Sequence, residues 1–163
     1  MELKSLESLS DLIALTNIAK RISGKNRIRI DFNSSHLART DGLTISIPDR
    51  FREDIKASQG LISHESGHIG YGSFELSSKN LVQLLSRKHR ISQIITRKIV
   101  NIVEDVRINL INRKKFPGFY ENLKIIISNL IGENISRKDK LDVLLIYINL
   151  FMEDYENFQE RLI

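Results

Sequence analysis

Leu61-Ile62-Ser63-His64-Glu65-Ser66-Gly67-His68-Ile69-Gly70-Tyr71-Gly72 is the stretch around which the chain reads. It contains His-Glu-x-x-His, with an apolar lead-in and a glycine-rich exit. The pattern predicts a helix over 57–69, with Gly60 a weak point inside it and Gly70 and Gly72 where a C-cap belongs. On a helix, side chains four apart project from one face about one turn apart. The imidazoles of His64 and His68 can therefore reach one metal ion. Glu65, beside them, is placed to hold a metal-bound water and take its proton.

Two histidines do not complete such a site, because a catalytic zinc usually takes three protein ligands and leaves one position for water. The chain has no cysteine, which excludes disulfides and thiolate ligands. The third ligand must come from His36, His89 or a carboxylate such as Glu75, Glu104, Asp105, Glu121 or Glu133. Glu104 is the strongest candidate. It lies in Asn101-Ile102-Val103-Glu104-Asp105-Val106-Arg107-Ile108, inside a long apolar helix pattern. Adjacent acids there are costly unless they face a partner or a metal. Helical spacing groups Glu104 with Asn101 and Arg107, while Asp105 points about 100° away. One acid can then be a ligand and the other can support it. His36 reads as a loop residue. His89, within Arg87-Lys88-His89-Arg90, has cationic neighbours that oppose metal binding.

Working outward, residues 3–22 carry leucines and isoleucines three or four apart, a helix pattern stopped at Gly24. Residues 27–32 alternate polar and apolar, as a strand with one buried face does. Residues 38–48 read as two strands around an Asp41-Gly42 turn, ending at Pro48. After the histidine motif the pattern is helical: 76–88, 91–112 with a stripe of Ile91, Ile94, Ile95, Ile102, Val106 and Leu110, then 120–131, 138–152 and a short acidic segment at 153–160. The fold class expected is α+β, mostly helical, with a small antiparallel sheet near the N-terminus.

At 163 residues the chain suits one domain, 1–163, with enough length to bury a core. Hydrophobic content of 41% and charged content of 28% are those of a soluble globular protein. No apolar run is long enough to span a membrane and no signal-peptide core is present, so a cytoplasmic location is expected. The net charge of +5 is spread widely. No basic stretch is interleaved with aromatics, so a nucleic-acid partner is not expected.

The pieces Thr40-Asp41-Gly42, Ile45 to Pro48, His64-Glu65-Ser66-Gly67-His68-Ile69, Gly72-Ser73-Phe74, the segment 101–108 and Phe116-Pro117-Gly118 occur in an order that resembles a known family. The chain looks like the zincin-like metallopeptidase domains that precede von Willebrand factor A modules in cobaltochelatase-subunit-like proteins. The resemblance covers residues 40–118, and no such module follows in these 163 residues. It implies one Zn2+ held by His64, His68 and Glu104, with Glu65 as the catalytic carboxylate. It also implies that strand 43–47 is the sheet edge beside a peptide groove, and that an AAA+ ATPase is a partner. On this reading Asn101 and Asp105 orient the ligands, and Arg107, Tyr71 or Tyr120 supplies a donor to the developing oxyanion. The function expected is hydrolysis of peptide bonds by a zinc-activated water, with Glu65 as general base. The alternative is a catalytically silent, zinc-bound protein-interaction domain.

Overall fold

A computed structural model of the chain describes residues 3–76 and 79–134. The element order is α1 (Leu3–Ser23), β1 (Arg29–Asn33), β2 (Arg39–Thr40), β3 (Thr44–Pro48), a 3-10 turn at Asp49–Phe51, α2 (Ile55–Gly70), α3 (Ser73–Leu76), α4 (Lys79–His89), α5 (Gln93–Lys115) and α6 (Pro117–Asn134). The class is α+β, as expected, with the small sheet near the N-terminus. The expected helices at 138–152 and 153–160 lie outside the described residues. No helix among those described is long and apolar enough to cross a membrane.

The sheet is mixed rather than antiparallel, in the order β1-β3-β2. β1 runs parallel to β3, pairing Ile30 with Ile45 and Phe32 with Ile47. β2 runs antiparallel to β3, pairing Thr40 with Ile45. The Asp41-Gly42 turn forms as expected, with Asp41 Oδ1 accepting the backbone N–H groups of Leu43 and Thr44 at 2.9 and 2.7 Å. Alternation reveals which face of a strand is buried but carries no information on the direction of its partner. Residues 34–38 cross the Pro48 end of β3, so β3 inserts between the other two strands. The strand expected at the edge is therefore central, and β1 and β2 are the edges.

α2 is the hub. Its N-terminus is capped by Asp54, whose side chain accepts the Ala57 N–H at 3.0 Å. One side of α2 closes the main core, where Ile62 and Ile69 meet Leu15 and Ala19 of α1 and Ile45 and Ile47 of β3. The opposite side takes α5 and α6. Gly60 is not a weak point but a contact: a Cβ there would lie 2.6 Å from the backbone nitrogen of Leu123. Gly60→Ala gains up to about 1 kcal/mol of helix propensity but forces α6 away, at a cost of about 1–3 kcal/mol. A net loss is expected as a lower urea midpoint. An unchanged midpoint would mean that α6 does not sit on α2 this closely.

α5 departs most from its sequence pattern. Of the expected apolar stripe, Val106 is buried, but Ile94 is 74% exposed, and Ile91 and Ile95 are exposed as well. The side that meets α2 is largely polar, with Glu104, Asn109 and Asn112 buried beside Ile108. Burying such groups is favourable only when each finds a partner. Their partners define the candidate site.

Candidate metal centre

His64 and His68 leave α2 on one face, and Asp105 comes from α5 to meet them. The two Nε2 atoms are 3.1 Å apart. Asp105 Oδ1 lies 3.6 Å from His64 Nε2 and 3.2 Å from His68 Nε2. A tetrahedral zinc with bonds of about 2.0–2.1 Å requires ligand atoms separated by about 3.3–3.4 Å. The three separations bracket that value, so this His-His-Asp set fits zinc. It is the single such group of histidines and acids among the described residues.

Both imidazoles are fixed in the tautomer a metal needs. Asn109 Oδ1 lies 2.9 Å from His64 Nδ1 and accepts its proton. Ser73 Oγ lies 3.0 Å from His68 Nδ1, and gives its own proton to Glu104 Oε1 at 2.5 Å. The Ser73 lone pair is thus the acceptor for His68 Nδ1–H. Both Nε2 atoms are left to face Asp105, an arrangement that raises ligand basicity and holds ring orientation.

Glu104, expected as the third ligand, lines the cavity over these histidines but stands outside the converging group. Its carboxylate is held by Arg107 Nε at 2.9 Å, by Arg107 Nη2 and by the Ser73 hydroxyl. Arg107 and then Ser73 draw its pKa down, against the effect of burial. Of the two adjacent acids, the one at the histidine pair is Asp105. The helical turn that separates them by about 100° sends Glu104 toward Ser73 instead.

The oxyanion candidates also lie away from the centre. Arg107 spans Glu104 and the Tyr71 carbonyl, the latter at 2.7 Å. The Tyr71 hydroxyl donates to Asn112 Oδ1 at 3.0 Å, and Asn112 Nδ2 donates to the Ser63 carbonyl at 3.0 Å. Tyr120 is buried in α6. None of the three lines the cavity over the histidines, which measures about 580 Å³. Asn101 and Arg39 do line it, as does Glu65. His36 and His89 are exposed and outside the group.

Sequence reasoning missed Asn109, Ser73 and Arg39. Asn109 had a readable signal, since Asn101, Asp105 and Asn109 are each four apart and share one helix face. Gly67 explains how that face comes close: a Cβ there would lie 2.6 Å from Ile108 Cγ2. Ser73 gave less warning, because its role depends on how the chain turns after α2.

In the metal-free protein the group carries a proton. Burial opposes charge on His64, yet the hydrogen bond and negative charge of Asp105, with that of Glu65, raise its pKa to about 9. Burial opposes charge on Asp105 as well, but its hydrogen bonds to His64 and His68 hold it well below the usual carboxylate range. Burial pushes the Glu65 carboxyl up, against the pull of His64 and His68. His64 titrates higher folded than at its unfolded value of about 6.5. Its stabilising contribution is full below that pH and is lost as pH rises through about 9. The shift corresponds to about 3 kcal/mol. Asp105 works in the other direction, holding its contribution above about pH 3.9 and losing it in acid. Urea denaturation in chelator is therefore expected to show stability falling between about pH 6.5 and 9. With zinc present the same interval should be nearly level, because a zinc-bound His64 carries no proton in the folded chain and carries none in the unfolded chain above about pH 6.5. Parallel curves with and without zinc would overturn the assignment.

No protein-family model, curated protein or solved structure matches the chain.

Proposed function

We propose that the chain is a zinc-dependent peptidase in which His64, His68 and Asp105 hold the metal and Glu65 is the general base. The observation that carries this reading is the convergence of three ligand atoms at 3.1–3.6 Å, with both histidine tautomers anchored from behind. The chemistry zinc supplies at such a site is Lewis-acid polarisation of a carbonyl and a water pKa brought toward about 7. The chain supplies the rest. Glu65 is buried against the histidines and lines the cavity, where its carboxylate takes a proton from the attacking water and passes it to the leaving amine. Asn101, from α5, and Arg39, from β2, line the cavity and offer donors to a substrate carbonyl.

Substrate geometry follows the corrected sheet. Residues 37–40 line the cavity, and β2 has one strand neighbour, β3. An extended peptide would pair with the open side of β2, rather than with 43–47, and lie across the histidines.

The test is metal analysis coupled to hydrolysis. Purified protein is expected to hold about one zinc per chain. It should cleave an unstructured peptide library, stop in chelator and recover when zinc is restored. Failure to take up zinc would overturn the site. Uptake without hydrolysis would overturn the peptidase and leave a metal-bound interaction domain.

A further inference from the structure

We infer that the end of the cavity beyond His64 is a pocket for one aliphatic side chain, and that the substrates are unfolded segments carrying leucine, isoleucine or methionine beside the cleaved bond. This inference rests on the peptidase reading above and adds the substrate class. Three side chains build the pocket. Leu61 lies three residues before His64, one turn toward the N-terminus on the α2 face that carries the histidines. Leu123 and Ile127 are four apart and share one face of α6. All three line the cavity that His64, Glu65 and His68 also line. The wall from α6 is held close to α2, since a Cβ on Gly60 would lie 2.6 Å from the Leu123 backbone nitrogen. Leu123 is buried, and Leu61 and Ile127 are half-buried.

The two ends of the cleft differ in chemistry. A Cβ on Gly42, just past the end of β2, would lie 3.6 Å from the Phe74 ring. Phe74 follows Ser73, the partner of His68. β2 therefore ends toward His68, and Leu37, about 16 Å of extended chain earlier, lies toward the end that holds Leu61. At the His68 end Ser73 and Glu104 accompany Phe74. At the other end Leu37, Leu61, Leu123 and Ile127 are aliphatic and bring no charge. Leu37 is 71% exposed although it lines the cavity. An aliphatic side chain left in water at a cavity mouth is surface that an apolar ligand can cover. A peptide paired with the open side of β2 directs every second side chain to the face of the sheet that packs on α2. The one that falls beyond His64 enters between Leu61 and α6. Leucine, isoleucine and methionine are mostly buried in folded proteins, so an unfolded segment is what presents them in this way.

Two measurements on the full chain test the pocket. The first is kcat/KM for unstructured peptides that differ only at the residues flanking one cleaved bond. Leucine at one of those positions is expected to give a value at least about tenfold above alanine, with aspartate lower still, because one methylene in an apolar pocket is worth about tenfold or more. Ile127→Phe fills the pocket and should remove the leucine advantage, whereas Ile127→Lys should admit aspartate. Equal cleavage of the three peptides, or a leucine preference unchanged in both variants, would overturn the inference. The second is calorimetric titration of the zinc-loaded chain with small hydroxamates, which need the metal but no turnover. An isobutyl-substituted hydroxamate is expected to bind at least about tenfold tighter than its methyl or carboxymethyl counterpart, and Ile127→Phe should close that gap. The gap without hydrolysis would overturn the peptidase reading and keep the pocket. Hydrolysis with no gap in either measurement would keep the peptidase and overturn the pocket.

Discussion

Asp105→Ala is expected to lower zinc affinity about a thousandfold or more, whereas Glu104→Gln is expected to lower it about ten- to a hundredfold. Zinc binding by a small protein site is worth about 10–16 kcal/mol. Removing one of three protein ligands forfeits about a third of that, and about 4 kcal/mol is a thousandfold. Glu104 acts one bond further out. Its carboxylate accepts the Ser73 proton and so orients the Ser73 lone pair toward His68 Nδ1. Outer partners of this kind typically change metal affinity by ten- to a hundredfold when replaced. Competition titration against a chromophoric chelator measures both variants on one scale. The reverse ranking would return the third position to Glu104, with Asp105 as support. Equal small losses would remove both acids from the coordination sphere.

That ranking marks the limit of what residue spacing could resolve. His64, Glu65 and His68 were legible because a four-residue interval fixes their common face before any tertiary contact exists. The pair Glu104-Asp105 was legible as a pair, since two acids in an apolar helix require a partner. Choosing between them required knowing which side of α5 meets α2. Hydrophobic periodicity pointed to the wrong side, because the apolar stripe is not the buried interface with α2. Asn109 and Asn112 are each only 1% exposed, and that interface joins their hydrogen bonds to the packing of Ile108 on Gly67. The sheet failed for a related reason. Alternation in residues 27–32 and 43–47 located the strands and their buried faces. The order β1-β3-β2 depends on a five-residue crossing at 34–38 that has no local signature. The edge strand that lines the cavity is accordingly β2 rather than β3.

Glu65→Gln is expected to retain zinc and lose turnover, with kcat for peptide hydrolysis falling by about 10²–10⁴. Glutamine keeps the size of the side chain and can still hydrogen-bond a water, but it cannot accept the proton the water must give up. Stability should move in the opposite direction from activity. Burial raises the pKa of Glu65, so its ionised form is disfavoured in the folded chain. A neutral amide avoids that cost, and the metal-free variant should melt at or above the temperature of the parent. A buried carboxylate that is unfavourable for folding is the kind of residue a catalytic site keeps at the expense of stability. A purely structural Glu65 would give the reverse result: a lower melting temperature, and loss of activity only in proportion to unfolding. Unchanged kcat with unchanged metal content would assign proton transfer to another group. Measuring melting temperature, bound zinc and kcat on one preparation separates these outcomes.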